Sequence, residues 1–495
     1  VAEPDLRLPE PVLRLLPTAG LPNLWLVGGS VRDLLIGRPT LDFDFAVQGD
    51  APALGRRFAN ELGADYFDLD PVRGAGRVLL TVQDGQRATM DFAGLRGETI
   101  ENDLALRDFT INAMAIRLAE GGPVGGILDP LGGARDLRES RLRLCSPSAV
   151  DDDPVRALRA VRFAVDLNLA LASEGIGAIR RAAGRLSAVS AERTRDEIFR
   201  LIGGQQPGKS LRLLDELGLL TSVVPELEPL RGLRQPEPHA FDALEHSLKT
   251  VDALSGLIGL VVDGTPEAAR DLSQAEALLA LAPYRESLRA YLAFSPSYGR
   301  ARRSLLYWAA LLHDIGKAQT QAVVEGRIRF LGHEAVGGRL AVEVSRRLRL
   351  SVVELAEIEM TVLHHMRPEW LETGSDLSSR AVYRFFRATE SAGVSVVLLS
   401  LGDRLAREIP PIAPEAWRTR LATAQRLFQA WFVERETSVA PSPILTGDDV
   451  MALLRIAPGP DVGRILETLR EAQVAGEVQT RDEGEAFVRR LQRED

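Results

Sequence analysis

Two periods of apolar and polar residues divide the chain. In the first third, the runs "LWLVGG" (24–29), "LDFDFAV" (41–47), "RVLLTVQ" (77–83) and "RATMDFAG" (87–94) are short and apolar-rich, which predicts strands. Asp84-Gly85 between the last two predicts a turn. "APALGRRFANEL" (51–62) spaces its apolar residues by three and four, which predicts an amphipathic helix. From about Asp151 onward the period is almost wholly helical. "DDPVRALRAVRFAVDL" opens on acidic residues with Pro154 in its first turn, a favourable helix start. "AERTRDEIFRLI" and "GKSLRLLDELGLL" continue in the same period. "RQPEPHAFD" (234–242), "REIPPIAPEAW" (407–417) and "SVAPSPILTGDD" (438–449) punctuate the remainder. The expected class is α+β: a small mixed-sheet head, then an extended all-α region.

Length and composition narrow this. The 495 residues exceed one core, and about three domains is the expectation. Hydrophobic content of 45% and charged content of 26% are globular values. The single cysteine, Cys145, leaves no intramolecular disulfide and fits a cytoplasmic protein. No apolar run reaches the ~18 residues of a membrane span, and "VAEPDLRLPEP" lacks the basic-then-apolar pattern of a leader. A net charge of −9 excludes a uniformly basic nucleic-acid binder but not a local basic face. Residues 154–212 carry 11 Arg and Lys against 5 Asp and Glu, a local excess that could track RNA phosphates. Aromatic content of 5% offers no stacking platform, so recognition would be by backbone shape.

Candidate chemistry falls into two regions. In the first, Gly28 and Gly29 let the backbone approach a ligand closely, and their amides with Ser30 can face phosphate oxygens. Asp42 and Asp44 follow at i and i+2 of a strand, hence on one face. Bare, they repel. Such a pair can hold two Mg²⁺ ions ~3.5–4 Å apart, the arrangement of nucleotidyl transfer. Asp91 could add a third carboxylate. The alternative is a tight turn and a solvated edge strand. Arg32 and Asp33 read equally as an ion pair or as substrate contacts.

The six histidines all lie beyond residue 238. His246, His313-Asp314, His333, His364-His365 and Asp403 are good ligands for Mn, Fe, Ni, Co or Zn. His246, His313, Asp314 and Asp403 could hold one ion, and His333 with His364 or His365 a second. Lys317, one of only three lysines with Lys209 and Lys249, would offer phosphate a point charge. His239 lies outside the pattern and is expected at the surface.

"LVGGSVRDLLIGRPTLDFDFAV" (26–47) resembles the signature of class II tRNA nucleotidyltransferases and bacterial poly(A) polymerases. "LRDFTINAMAI" (106–116) is similar to that family's Arg-Arg-Asp-Phe-Thr-Ile-Asn-Ala-Met-Ala. "DDPVRALRAVRFA" (152–164) is similar to its Glu-Asp-x-x-Arg element. "LTGDDVMALLRIAPGPDVGRILETL" (445–469) resembles its tail. The histidine set resembles the HD phosphohydrolases. The resemblance implies a polymerase-beta-like nucleotidyltransferase head over 1–145 and a helical neck over 146–230 for nucleotide selection and RNA binding. An HD body over 231–430 and a tRNA-contacting helical tail over 431–495 would follow.

It also implies residue roles. Asp42, Asp44 and Asp91 would be catalytic. Asp153 and Arg156, on the helix with Arg159 and Arg162, would select the incoming base. Arg107, Asp108 and Asn112 would belong to the nucleotide site, Arg107 near phosphate or sugar and Asn112 at ribose or phosphate. Leu106 departs from the family's first Arg. The segment "DFAGLRGETIENDLALR" (91–107) is short, and in the family a shortened loop there accompanies CC addition. The expected activity is addition of C, and of two C residues, to tRNA from CTP, with ATP as the other possible substrate. The HD site would act on 2′,3′-cyclic or terminal phosphates. Full CCA or A addition, a mainly HD phosphohydrolase, and a non-catalytic RNA-binding protein are the alternatives.

Overall fold

The computed structural model of the chain describes residues 8–14, 23–70, 74–82, 85–119, 122–237, 239–264, 271–297, 299–372, 377–407 and 413–494. The expected turn residue Asp84, residues 1–7 and residues 408–412 of the 407–417 boundary lie outside these. The chain forms two compact units, Val1–Val189 with Glu216–Ser222, and Ser190–Asp215 with Val223–Asp495.

The first unit carries strands β1 (Leu24–Val27), β2 (Asp42–Val47), β3 (Asp65–Asp70), β4 (Ala75–Thr81), β5 (Arg87–Gly94), β6 (Ala115–Ala119) and β7 (Gly122–Leu128). They form one mixed sheet of order β3-β4-β5-β2-β1-β6-β7. Within this sheet only β2 and β5 pair in parallel, with Asp44 opposite Asp91. Alternation decides the faces. Phe43, Phe45 and Val47 of β2 point to one core with Met90, Phe92 and Phe58, where Phe45 stacks on Phe92 at 4.9 Å. Each such ring contributes roughly 1.5–3 kcal/mol by burial. The opposite face holds a smaller core of Trp25, Val27, Ala46, Ile100 and Leu104, and that is the face of Asp42 and Asp44. Around the sheet lie α1 (Gly29–Leu35), α2 (Ala51–Leu62), α3 (Ile100–Ala105) and α4 (Val155–Asp166). Asp50 N-caps α2, accepting from the Ala53 amide at 2.9 Å.

The second unit is helical apart from a small hairpin. Its central members are α5 (Ala243–Ile258), α6 (Arg302–Leu312), α7 (His333–Arg347), α8 (Val352–Leu363) and α9 (Gly393–Leu405), with β8 (Ala322–Val324) and β9 (Arg327–Arg329) before α7. The hairpin is a departure from the all-α expectation. Two glycines set the helix approaches. A Cβ on Gly402 would meet Leu254 Cβ at 2.8 Å, so α9 lies against α5 at backbone distance. A Cβ on Gly316 would stand 2.2 Å from the His333 carbonyl, so α7 starts hard against the end of α6. Three further helices, α10 (Gly447–Leu454), α11 (Pro460–Val474) and α12 (Arg481–Glu494), enclose a separate core of Leu445, Val450, Leu469 and Val488.

Candidate active sites

In the first unit, chemistry gathers where β1 turns into α1. Gly28 takes φ 73 and ψ −136, a region that side chains avoid. A Cβ there would stand 2.8 Å from Arg107 Nη1 and 3.2 Å from Asp44 Oδ2. Bare backbone is therefore what leaves room for both the guanidinium and the carboxylate beside this turn. Ser30, expected to face phosphate, is buried instead. Its hydroxyl donates to the Asp42 carbonyl at 3.2 Å and accepts from the Asp44 amide at 3.0 Å, so it ties α1 to β2 and fixes the height of both aspartates.

Asp42 is exposed and Asp44 half-buried on one face, with Asp91 beside Asp44 on β5. Burial pushes the Asp44 carboxyl up to about 6; Arg107 opposes the rise, and Asp42 and Asp91 add to it. Asp42 and Asp44 on one face of a strand, the second held reluctantly ionised, with Asp91 next to it on β5, supply carboxylate oxygens of the kind that suit a divalent cation such as Mg²⁺. Asp91 reaches the cluster as an ion pair: Arg77 of β4 donates to both its oxygens at 2.7 Å. Arg107 is braced from behind by Asp103, at 3.1 Å from Nε and 2.9 Å from Nη2. The short 91–107 segment is thus ordered around α3. Leu106 is exposed at 52%.

A buried polar chain supports this turn. Arg32 forks onto Asp33 at 2.9 and 3.0 Å, so of its two readings the structure shows the ion pair. Arg32 Nη1 also donates to Asn112 Oδ1 at 2.6 Å, and Asn112 Nδ2 to Asp108 at 3.1 Å. Both ends of the Asn112 amide are therefore committed internally, away from the sugar or phosphate role expected for it. Burial opposes ionisation of Asp108, but Arg159, donating at 2.8 Å, and its other hydrogen bonds hold it below the usual range. Arg32, Arg159 and Arg162 lie against the Phe163 ring at 5.1, 5.3 and 4.4 Å.

Asp153 is not on the helix, as the periodicity suggested. It sits extended, at φ −149 and ψ 97, between Ala149–Asp152 and α4. Arg156 lies one turn on and donates to the carbonyls of Leu106, Arg107 and Ala149 at 3.2–3.3 Å. It spans from α4 to the segment carrying Arg107.

The second cluster assembles where α5, α6, α7 and α9 meet. His246 Nε2 lies 2.8 Å from Asp403 and 3.7 Å from Asp314. His313 Nε2 lies 3.3 Å from Asp314. His333 Nε2 lies 3.4 Å from Asp314 and 3.3 Å from His365 Nε2. Ligand atoms of His246, His313 and Asp403, and of His313, Asp314 and His365, fall within 4.8 Å of one another. His364 stands apart: its Nδ1 accepts from Arg367 at 3.0 Å. Consecutive residues leave a helix end in different directions, so only one of the pair enters the cluster.

Most protonation states suit metal binding; at His313 burial opposes the charge, but Asp314 and Asp403 prevail and hold the imidazole above its ordinary value. Burial opposes charge on Asp314 and Asp403, yet His313 with Lys317, and Arg407 with His246, hold them well below the carboxylate range. Burial pushes His365 down to about 3, so its imidazole is neutral. Lys317 donates to Asp314 and to Gln235 Oε1, each at 2.6 Å. Arg407 donates to Asp403 at 2.6 Å. Its i+4 spacing from Asp403 was a legible sign, as was that of Arg107 from Asp103. His239, expected at the surface, is half-buried and edge-on to His246, ring centroids 4.7 Å apart.

Comparison with known proteins gives three successive matches along the chain. Residues 24–143 match the family model described as the poly A polymerase head domain. Residues 168–230 match a probable RNA and SrmB-binding site of polymerase A, and residues 269–408 match the HD domain. The chain is 35% identical over 476 residues to an A-adding tRNA nucleotidyltransferase of Deinococcus radiodurans, covering 95% of each. It is 34% identical over 471 residues to a CC-adding tRNA nucleotidyltransferase of Thermus thermophilus, covering 93% of this chain and 92% of that one. Its fold resembles that of a CCA-adding enzyme solved with CTP, with a TM-score of 0.63 at 20% identity, over 98% and 96% of the two chains.

Proposed function

The chain belongs to the tRNA nucleotidyltransferases, and from that premise we propose that it adds C, and two C residues, to the tRNA 3′ end. The observation that carries the site assignment is the placing of Asp42 and Asp44 on one face of β2, with Asp91 opposite Asp44 and Asp44 lying under the Gly28 turn, pushed up to about 6. Asp42 and Asp44 would hold Mg²⁺, which when bound makes the 3′-hydroxyl a better nucleophile towards the α-phosphate and steadies the leaving pyrophosphate. Arg77 keeps Asp91 aimed into the cluster. Arg107, braced by Asp103, presents Nη1 to the triphosphate. Asp153 and Arg156 form an acceptor and a donor fork for the base edge. Because Arg156 also holds the 106–107 carbonyls, base fit and phosphate position are mechanically joined. The short ordered 91–107 segment favours the CC reading; the relatives include both A-adding and CC-adding enzymes.

The second cluster supports a metal-dependent phosphohydrolase acting on 2′,3′-cyclic or terminal phosphates. His246, His313, Asp314, Asp403, His333 and His365 would hold Mn²⁺, Ni²⁺, Co²⁺, Fe²⁺ or Zn²⁺, which supplies a water activated for attack. Lys317, tied to Asp314 and Gln235, would offer a phosphate oxygen a remaining N–H. The two sites separate by mutation. Asp42→Ala should abolish incorporation of labelled CTP into tRNA and spare phosphoester hydrolysis; His313→Ala should do the reverse. Loss of both activities in either variant, or of neither, contradicts the assignment.

A further inference from the structure

The Pro-rich stretch before α5 is more than a boundary. Gln235, Pro236 and His239 line a cleft of ≈ 230 Å³ together with Asp314, Lys317, His333, His365 and Arg407. Within it His239 Nδ1 is buried and has no hydrogen-bond partner among the described residues. A structural histidine is expected to be satisfied, since a buried unpaired polar atom costs about 1–3 kcal/mol. A histidine ligating the metal would approach its carboxylates: His246, His313, His333 and His365 each bring Nε2 within 4.0 Å of Asp314 or Asp403, and His239 makes no such approach among the described residues. His239 instead flanks them from one side, edge-on to His246.

Its surroundings say what it can bind. The charge of Lys317 is matched by Asp314 at 2.6 Å and that of Arg407 by Asp403 at 2.6 Å. An imidazole nitrogen without a partner, beside cations already matched by carboxylates, suits a hydroxyl or ester oxygen better than a free phosphate dianion. The cleft is below the ~300–1,000 Å³ of a usual small-molecule pocket, which fits a sugar phosphate whose base stays outside. We infer that His239 is a substrate-contacting residue of this cleft, its imidazole hydrogen-bonding a ribose-side oxygen of a nucleoside phosphoester. The inference rests on the phosphoester hydrolysis proposed above.

The test uses the full chain loaded with Mn²⁺ or Ni²⁺, with adenosine 2′,3′-cyclic phosphate as probe. Initial rates are measured together with bound metal by mass spectrometry. His239→Ala should raise KM at least tenfold and leave metal content at the wild-type level. His239→Asn, which returns an amide near the position of Nδ1, should recover part of the loss. Unchanged KM in both variants overturns the inference while leaving the hydrolase reading intact. Metal content falling by half or more in His239→Ala also overturns it, since His239 would then serve the metal. Wild-type protein that hydrolyses no phosphoester removes the hydrolase reading, and this inference with it.

Discussion

Gly28→Ala tests the geometry of the first site at one atom. At φ 73 and ψ −136 a side chain is strained, which costs about 1–3 kcal/mol. The new Cβ would also meet Arg107 Nη1 at 2.8 Å and Asp44 Oδ2 at 3.2 Å. The guanidinium can swing aside, so the clash appears as displacement rather than unfolding. Gly37→Ala is the matched control: φ is +67 there, and nothing lies within 4 Å of the added Cβ. It should cost about 1 kcal/mol. In a unit of this size each kcal/mol moves the midpoint by about 2–4 °C. Calorimetry should show a drop of about 4–8 °C for Gly28→Ala, near 2 kcal/mol, and about 2–4 °C for Gly37→Ala. CTP incorporation should fall at least tenfold in the first and stay within about twofold in the second. Equal midpoint shifts with undiminished incorporation in Gly28→Ala would refute the packing of Arg107 and Asp44 against this turn.

Arg156→Lys replaces a fork with a point charge that cannot span the carbonyls of Leu106 and Arg107. kcat/KM for CTP should fall roughly 10–100-fold, the worth of one bidentate contact at about 1–3 kcal/mol, and discrimination against ATP should narrow in single-nucleotide assays. Gly402→Ala drives a methyl to 2.8 Å from Leu254 Cβ. Overpacking costs about 1–3 kcal/mol and should part His246 from Asp403, lowering bound metal while sparing CTP incorporation. Glu354, fully buried, is held at about 2: burial opposes its charge, but Arg300 and the Ser351 amide, donating at 2.6–3.0 Å, prevail. A folded-state pKa below the ordinary 4.5 stabilises by roughly 3 kcal/mol above pH 4.5. That stability is lost as pH falls from 4.5 towards 2. The midpoint gap between wild type and Glu354→Gln should be widest at pH 6–7 and shrink below pH 4.5; a gap independent of pH would contradict the pairing.

Strands with a buried face could be read from the chain, because alternation of Phe43, Phe45 and Val47 against Asp42 and Asp44 reports it directly. Strand β3, "DYFDLD", is largely exposed and acidic, and β7, "GPVGGIL", is glycine-rich. Neither carries a core pattern, and pairing to neighbours is what makes them strands. In the first site the acidic pair and Gly28 were visible as types and spacings. Ser30 and Asn112 were misplaced because a hydroxyl or amide serves backbone and ligand equally well, and only the fold decides. Arg77 gave no sign, since its partner Asp91 lies across a strand register that sequence does not fix. The His-Asp cluster was legible because all six histidines lie beyond residue 238, five of them in one ordered set with His313-Asp314. His239 was not, because its proline-rich surroundings read as a linker.

The most direct measurement of the account supplies tRNA lacking its 3′ end with labelled CTP or ATP separately, then maps product lengths. Growth by two C residues with CTP, and no A added to a C-C end, is the predicted result. Addition of A to a C-C end would contradict the CC assignment. Absence of any metal-dependent incorporation by the wild-type chain would contradict the nucleotidyltransferase site itself.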